Sequence, residues 1–135
     1  MKLEVLISCM HQSNFGIVER TRVKSSALVI NQSDSNEIAQ VNYNGYVVRM
    51  FSTIERGLSR SRNMAITNAV GDICLICDDD EVLEDDYVET ILSAFDKYAE
   101  ADILTFKVNS PQKHSYPSKT KKVGYIGAMK TASWQ

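Results

Sequence analysis

The chain has 135 residues, 24% of them charged and 44% apolar, with a formal net charge of −2, which allows one globular domain with a buried core. A charge this close to neutral gives no reason to expect bulk attraction to an anionic membrane, and nucleic acid is not an expected partner. No apolar run reaches the roughly 20 residues of a membrane span, and Met1 to Met10 lacks a signal-peptide cleavage site, so the expected location is the cytoplasm.

Short apolar runs rich in β-branched residues predict the first two strands, Leu3 to Cys9 and Ala27 to Asn31. Their near-continuous apolar character suits a parallel sheet covered on both faces. Phe15 to Val23, between them, is predicted to form a short helix with Asn14 as its N-cap.

The segment from Ile38 to Phe51 contains a strong hairpin signal, because Asn44-Gly45 separates two strand-like runs. The second of these runs, Tyr46 to Phe51, can instead join the main sheet. Both arrangements are open on the sequence alone.

The second half of the chain alternates helices and strands in the prediction. In chain order these are a helix over Leu58 to Gly71, a strand over Ile73 to Cys77, a helix opened by Asp85-Asp86, a strand over Ile103 to Val108 and a loop over Asn109 to Lys122. Ser59 or Ser61 is expected to cap the helix over Leu58 to Gly71, and Gly71 to end it.

Alternating strands and helices predict an α/β fold with a mostly parallel sheet flanked by helices. Ligands bind such sheets at the carboxyl ends of the strands. Three polar segments follow predicted strands, namely Ser8 to His11, Gln32 to Asn36 and Asp78 to Glu81, and we expect them to lie close together.

Four consecutive acids, Asp78 to Glu81, are the sharpest chemical signal. Like charges this close repel one another unless a cation compensates, and carboxylate oxygens are ligands that Mg²⁺ and Mn²⁺ accept. The alternative is a solvated turn that leads into the next helix.

Arginines at a predicted helix start are the second signal, in the segment Arg56 to Asn63 (RGLSRSRN). Arg60 and Arg62 oppose the helix dipole there, by roughly a few tenths of a kcal/mol per charge. A bound phosphate reverses this effect, because helix N–H groups and guanidinium groups both bind anions. The alternative is that these arginines pair with Glu55 and the acids.

Cys74 and Cys77 form a C-x-x-C pair inside the apolar run ICLIC. Residues three apart on a strand point to opposite faces, so the two sulfurs cannot bind one ion. With Cys9 the cysteines number three, a poor disulfide framework, so buried and inert thiols are expected.

Residues 57 to 87 (GLSRSRNMAITNAVGDICLICDDDEVLEDDY) resemble the family 2 glycosyltransferases, whose A-type (GT-A) fold is a single Rossmann-like α/β domain. In that family a helix with an Arg-Asn pair ends in Gly, and the next strand finishes in an Asp-x-Asp motif. The matching residues here are Arg62-Asn63, Gly71 and Asp78-Asp79-Asp80. The resemblance covers residues 3 to about 108, and the 57–87 stretch is its specific part.

The resemblance implies inverting transfer of a sugar from a nucleotide-diphosphate donor, commonly a UDP-sugar, to a glycan or lipid-linked acceptor, with Mn²⁺ or Mg²⁺ as cofactor. It implies that Asp78 and Asp79 lie near the ribose and diphosphate, and that Asp80 is a direct metal ligand with Asp78 beside it. The other residues expected at the nucleotide are Ser8, Gln32, Asp34, Arg60, Arg62 and Asn63. A lipid-linked acceptor places the protein at the inner face of the membrane.

Two strand ends depart from the family pattern. The family's second strand usually ends in paired acids, one of which contacts the base, whereas Gln32 stands here and Asp34 is displaced. The first strand ends in Ser8-Cys9-Met10-His11 rather than Pro-Thr-Tyr-Asn, which leaves Ser8 as the nearest counterpart. The identity of the nucleotide is therefore open.

The resemblance divides the chain into a nucleotide-sugar-binding α/β domain, residues 1–108, and residues 109–135, a mobile basic loop with the start of the acceptor-side region. The family's catalytic base lies further along than Gln135, so we expect a chain truncated on its C-terminal side that binds donor without transferring sugar. Apolar residues expected to favour homo-oligomers are Tyr125, Ile126, Met129 and Trp134.

Two other functions remain open. A phosphoacceptor receiver domain is also a small α/β sheet with a Mg²⁺-binding acid cluster, but its first strand ends in an acidic pair that Ser8-Cys9-Met10-His11 lacks. The other is a non-catalytic module that binds a nucleotide sugar without transferring it.

Overall fold

The computed structural model describes residues 1–108 and 124–131; the predicted Asn109–Lys122 loop and Trp134 lie outside the described residues. The described elements are β1 (Leu3–Met10), α1 (Gly16–Arg20), β2 (Ser26–Gln32), β3 (Glu37–Tyr43), β4 (Tyr46–Thr53), α2 (Leu58–Asn68), β5 (Ile73–Asp78), α3 (Tyr87–Lys97), β6 (Ile103–Val108) and β7 (Gly124–Lys130).

These strands form a 7-stranded sheet in the order β3-β4-β2-β1-β5-β7-β6. The pairs β4-β2, β2-β1 and β1-β5 are parallel, while β3 and β7 run antiparallel to their neighbours. The predicted α/β class with a mostly parallel sheet is confirmed. Both arrangements considered for Tyr46 to Phe51 occur together, since β4 closes the hairpin and also pairs with β2.

Helices cover the sheet on both faces. One face packs against α1 and α3, with Ile17, Ile91 and Phe95 in its core, and the other packs against α2 around Ala65. The central strand β2 is buried along its whole length, as its apolar run predicts. In the described part of the chain the longest helices have 11 residues, and no helix there has the length and apolar character to cross a membrane.

The cysteines are buried and Cys74 and Cys77 point to opposite faces of the sheet, as predicted. Cys74 lies in the core on the α2 face, and Cys77 lies in the core on the opposite face. Burial raises the pKa of Cys74 to about 12, and it also raises the pKa of Cys77 above its ordinary range, so both thiols stay protonated and inert.

The predicted ends of two helices, α1 and α2, are wrong. Helix α1 is shorter than predicted and has Phe15 at its N-cap, while the Asn14 carboxamide oxygen accepts a 2.8 Å hydrogen bond from the Gly16 N–H. Helix α2 starts after Gly57 with no side-chain cap, so neither Ser59 nor Ser61 has the predicted capping role. It also ends at Asn68, before Gly71.

Gly71 has a packing role instead of a helix-ending one. A Cβ atom there would lie 2.6 Å from the Cβ of Glu4, so only glycine lets the chain pass this close to β1. The Glu4 side chain is 1% exposed, and its carboxylate accepts hydrogen bonds from the N–H groups of Val70 (2.8 Å) and Gly71 (3.2 Å).

Arg49 completes this buried network. Its guanidinium lies 3.0 Å from the Glu4 carboxylate and donates a 2.9 Å hydrogen bond to the carbonyl of Asn68 at the end of α2. Its side chain is 18% exposed, so the pair is largely shielded from water. The network therefore joins β1, β4 and the C-terminal end of α2.

Glu4→Ala is expected to lower the free energy of unfolding by about 3–5 kcal/mol, because Arg49 and two backbone N–H groups lose a buried partner. Urea unfolding followed by circular dichroism measures this loss. Asp85→Ala, which breaks an exposed pair with Lys24, is the matched control and is expected to change stability far less. Equal losses in the two variants would contradict the importance of the Glu4 network.

Candidate functional site

A cleft of about 450 Å³ opens at the carboxyl ends of β1, β2 and β5, beside the start of α2. This is the position at which parallel α/β sheets bind ligands. Its lining residues are Ser8, Cys9, Met10, Gln32, Arg56, Gly57, Leu58, Ser61, Asp78, Asp79 and Asp80. All three strand-end segments that the sequence singles out contribute to this one cleft.

The acids form a tight turn at the end of β5. The Glu81 N–H donates to the Asp78 carbonyl (3.2 Å), and the Asp78 N–H donates to the Glu81 carboxylate (2.9 Å). This reciprocal pair leaves Asp79 and Asp80 exposed at the tip of the turn, where they line the cleft. Burial, with the nearby carboxylates of Asp78 and Asp80, raises the pKa of Glu81.

The segment after the acid turn is held against the face of the sheet that carries α1 and α3. The buried Leu83 donates its N–H to the carbonyl of Thr21 (3.0 Å), just after α1. The Tyr87 hydroxyl accepts a 2.8 Å hydrogen bond from the Lys24 N–H, and Lys24 Nζ lies 2.8 Å from Asp85. The turn is thus fixed at both ends, on β5 and on the loop before β2.

The opposite wall of the cleft is the start of α2. The Gln32 amide donates to the Gly57 carbonyl (2.8 Å), and Gly57 has a φ of 106°, a conformation that favours glycine. Ser61 donates a 2.6 Å hydrogen bond to the hydroxyl of Ser8, which joins the helix to β1. No side chain caps this helix start and no acid lies in its first turn, so its positive dipole end is available to an anion.

Arg56 lies on the cleft wall just before α2. Its Nη1 donates to the carbonyls of Ile54 (3.0 Å) and Glu55 (3.1 Å), which fixes the guanidinium against its own loop. Its Nη2 lies 3.7 Å from Asp34, whose side chain is 92% exposed and does not line the cleft. An exposed pair this long is weak, so the guanidinium can readily accept another anion.

The two arginines predicted to bind phosphate, Arg60 and Arg62, do not line the cleft. Arg62 lies 3.1 Å from Asp78 and borders a second cavity of about 340 Å³ behind the acid turn, not the cleft. Its buried Nε has no hydrogen-bond partner among the described residues. Arg60 and Asn63 are on the exposed side of α2 and do not line the cleft.

Arg56 and Ser61 line the cleft, although neither is among the residues predicted from the sequence to lie at the nucleotide. Ser61 lies three residues after Leu58 and four before Ala65, so these three share one face of the helix. That spacing is a signal from which the inward position of Ser61 can be inferred. Arg56 precedes the helix, so helical spacing does not place it.

A model of the family described as glycosyl transferase family 2 matches residues 28–133 of the chain. The comparison with curated protein sequences found no match. S. aureus TarS 1-349 has a similar solved structure, with a TM-score of 0.68 over 98% of this chain and 13% sequence identity. That likeness covers 48% of the TarS chain.

Two further solved structures share the fold. TarS 1-349 in complex with UDP-GlcNAc matches 87% of this chain and 37% of its own, with a TM-score of 0.62 and 14% identity. CMP:2-keto-3-deoxy-manno-octonic acid synthetase complexed with CTP matches 98% of this chain and 75% of its own, with a TM-score of 0.51 and 10% identity. At such identities the likeness shows the fold, and the chain spans about half or less of the TarS structures.

Glu81→Gln is expected to raise the free energy of unfolding at neutral pH, because the amide keeps the acceptor oxygen for the Asp78 N–H without a buried charge. In the wild type the folded state holds the Glu81 proton more tightly than the unfolded chain. The free energy of unfolding of the wild type therefore falls as pH rises from 4.5, the ordinary pKa of the group, through the raised pKa of Glu81 in the folded state.

The test is urea unfolding of both proteins in metal-free buffer with chelator, at several pH values from acid to neutral. The advantage of the variant should shrink as pH falls through the raised folded pKa toward about 4.5, and should be lost below that pH, where the wild-type carboxyl is protonated in both states. An advantage that grows toward acid pH would show that the Glu81 environment is misassigned.

Proposed function

Because the chain belongs to glycosyl transferase family 2, we propose that its cleft binds the nucleotide-diphosphate part of a sugar donor. One observation carries this proposal: the acid turn and the uncapped start of α2 with Arg56 line the same cleft. A diphosphate with a divalent cation requires both, since phosphate oxygens bind N–H and guanidinium groups while carboxylates bind the cation.

The acid turn fits a hard divalent cation. Among the described residues no group of three or more His, Cys, Asp or Glu side chains is arranged to hold a metal ion. Mg²⁺ characteristically uses only one or two carboxylates and takes its remaining ligands from substrate phosphate and water. Asp80 is the proposed direct ligand of Mg²⁺ or Mn²⁺, with Asp78 beside it, and a cation bound there would supply Lewis-acid stabilisation of the leaving diphosphate.

The protein's own groups stabilise the leaving diphosphate from the other wall. The first N–H groups of a helix have no partner within the helix, and the start of α2 lines the cleft beside the positive charge of Arg56 with no side-chain cap. These donors are held in place before the ligand arrives, so little reorganisation is needed as negative charge develops on the leaving oxygen. Arg62 has a separate part, which is to hold Asp78 in position.

A UDP-sugar is the proposed donor class. Gln32 lines the cleft and its Nε2 donates to the Gly57 carbonyl, which leaves the amide oxygen as its neutral acceptor for a base N–H. The similar TarS structure is a complex with UDP-GlcNAc, which makes that compound the first donor to test. Asp79 and Ser8 complete the proposed nucleotide site, whereas Asp34, Arg60 and Asn63 lie outside the cleft.

UDP or UDP-GlcNAc is expected to raise the thermal unfolding midpoint only when Mg²⁺ or Mn²⁺ is present. At a concentration 100 times its dissociation constant the ligand should add about 2.7 kcal/mol of stability. Asp80→Asn should remove the metal-dependent part, while the exposed control Asp96→Asn should keep it. A shift of the same size in the presence of chelator would overturn the metal assignment.

Arg56→Ala is expected to weaken UDP binding about tenfold or more, since one charge-assisted hydrogen bond contributes about 1.5–3 kcal/mol. Uridine, which lacks phosphates, should bind the variant and the wild type alike. Arg60→Ala is the matched control, because it removes the same side chain from the exposed side of α2. Titration calorimetry gives the six affinities of the wild type and the two variants for UDP and uridine, and equal loss of UDP and uridine binding in Arg56→Ala would rule out a phosphate contact by Arg56.

A further inference from the structure

The outer edge of β3 is unprotected. Among the described residues, strand β3 lies at one end of the sheet and pairs only with β4, through seven consecutive residues from Glu37 to Tyr43 without a bulge. Natural edge strands are usually blocked by lysine, proline or a bulge. This strand has none of these, its one charged residue is Glu37 at its first position, and Ile38 is 76% exposed.

The turn geometry identifies the backbone groups that face outward. Asn44 and Gly45 have φ values of 50° and 88°, which matches a two-residue type I′ turn. The residues that close such a turn, Tyr43 and Tyr46, form a hydrogen-bonded pair, and inward-facing groups alternate along the strand from there. The N–H and C=O groups of alternate residues, Ile38, Gln40 and Asn42, therefore face away from β4.

We propose that β3 pairs antiparallel with β3 of a second copy of this chain, about a twofold axis at Gln40. In this register Gln40 lies opposite its own copy, and Ile38 lies opposite Asn42 of the other copy. These are the residues whose backbone groups face outward, so every one of them gains partners. Ala39 then lies opposite Val41 in the pairs between, where side chains come closest.

Charge favours antiparallel over parallel pairing with a second copy. Glu37 is the only charged residue of β3, and Asp34 lies just before it, so the acids gather at one end of the strand. Antiparallel pairing puts the two acidic ends at opposite ends of the joint sheet, whereas parallel pairing would set Glu37 against Glu37. The contact is the same surface on both copies, so it closes at a dimer and consumes the edge.

Cross-linking at the axis tests the register. In Gln40→Cys the two new thiols lie opposite each other with Cα atoms about 5.5 Å apart, within the range that a disulfide spans. A mild oxidant should convert most of the protein to a covalent dimer. Ala39→Cys is the matched control, because its own copy lies diagonally beyond disulfide reach, and the three native cysteines are buried.

Sedimentation equilibrium tests the association itself. Gln40→Pro removes an outward N–H without touching the β3-β4 ladder, and should raise the dimer dissociation constant at least tenfold. Gln40→Lys, which keeps the N–H but places two ammonium groups at the axis, should do the same, whereas Gln40→Thr should not. A wild type that stays monomeric at high concentration, or equal cross-linking at positions 39 and 40, would overturn the proposal.

Discussion

The buried carboxylate of Glu4 is the contact on which the arrangement of the cleft depends. It holds the backbone just after α2 and, through Arg49, the last carbonyl of that helix. Because a helix of 11 residues is rigid, fixing its C-terminal end to β1 also determines the direction of its N-terminal end. Near the N-terminal end of α2, Ser61 donates a hydrogen bond to Ser8 on the same strand, so β1 positions both ends of the helix.

The charges of the cleft are separated between its two walls. Carboxylates occupy the β5 side, and the helix start with Arg56 occupies the α2 side, and in the described part of the chain no ion pair joins Arg56 to these acids. Arg62 compensates part of the acidic wall from behind, through Asp78, and leaves the exposed acids at the tip of the turn. A ligand that carries its own cation next to its own anion satisfies both walls at once, which a simple anion or a simple cation does not.

The central strands, the helices on both faces and the convergence of three strand ends could be predicted from the sequence, because each follows from local periodicity and a general rule for parallel sheets. The position of each arginine could not. Arg60 and Arg62 look alike in the sequence, and only the face on which α2 packs separates the exposed one from the one that reaches Asp78. Gln32 is a similar case, since its partner Gly57 is 25 residues away and no local pattern connects them.

The position of β7 has a consequence for how the chain folds during synthesis. In the described sheet β6 pairs only with β7, and β7 also supplies the outer neighbour of β5. While a ribosome makes the chain, the acid turn therefore emerges on a strand whose outer edge has no partner, and β6 emerges with no strand to join. Both lack this partner until residues 124–130 are made, and until then their open edges are available for pairing with other chains.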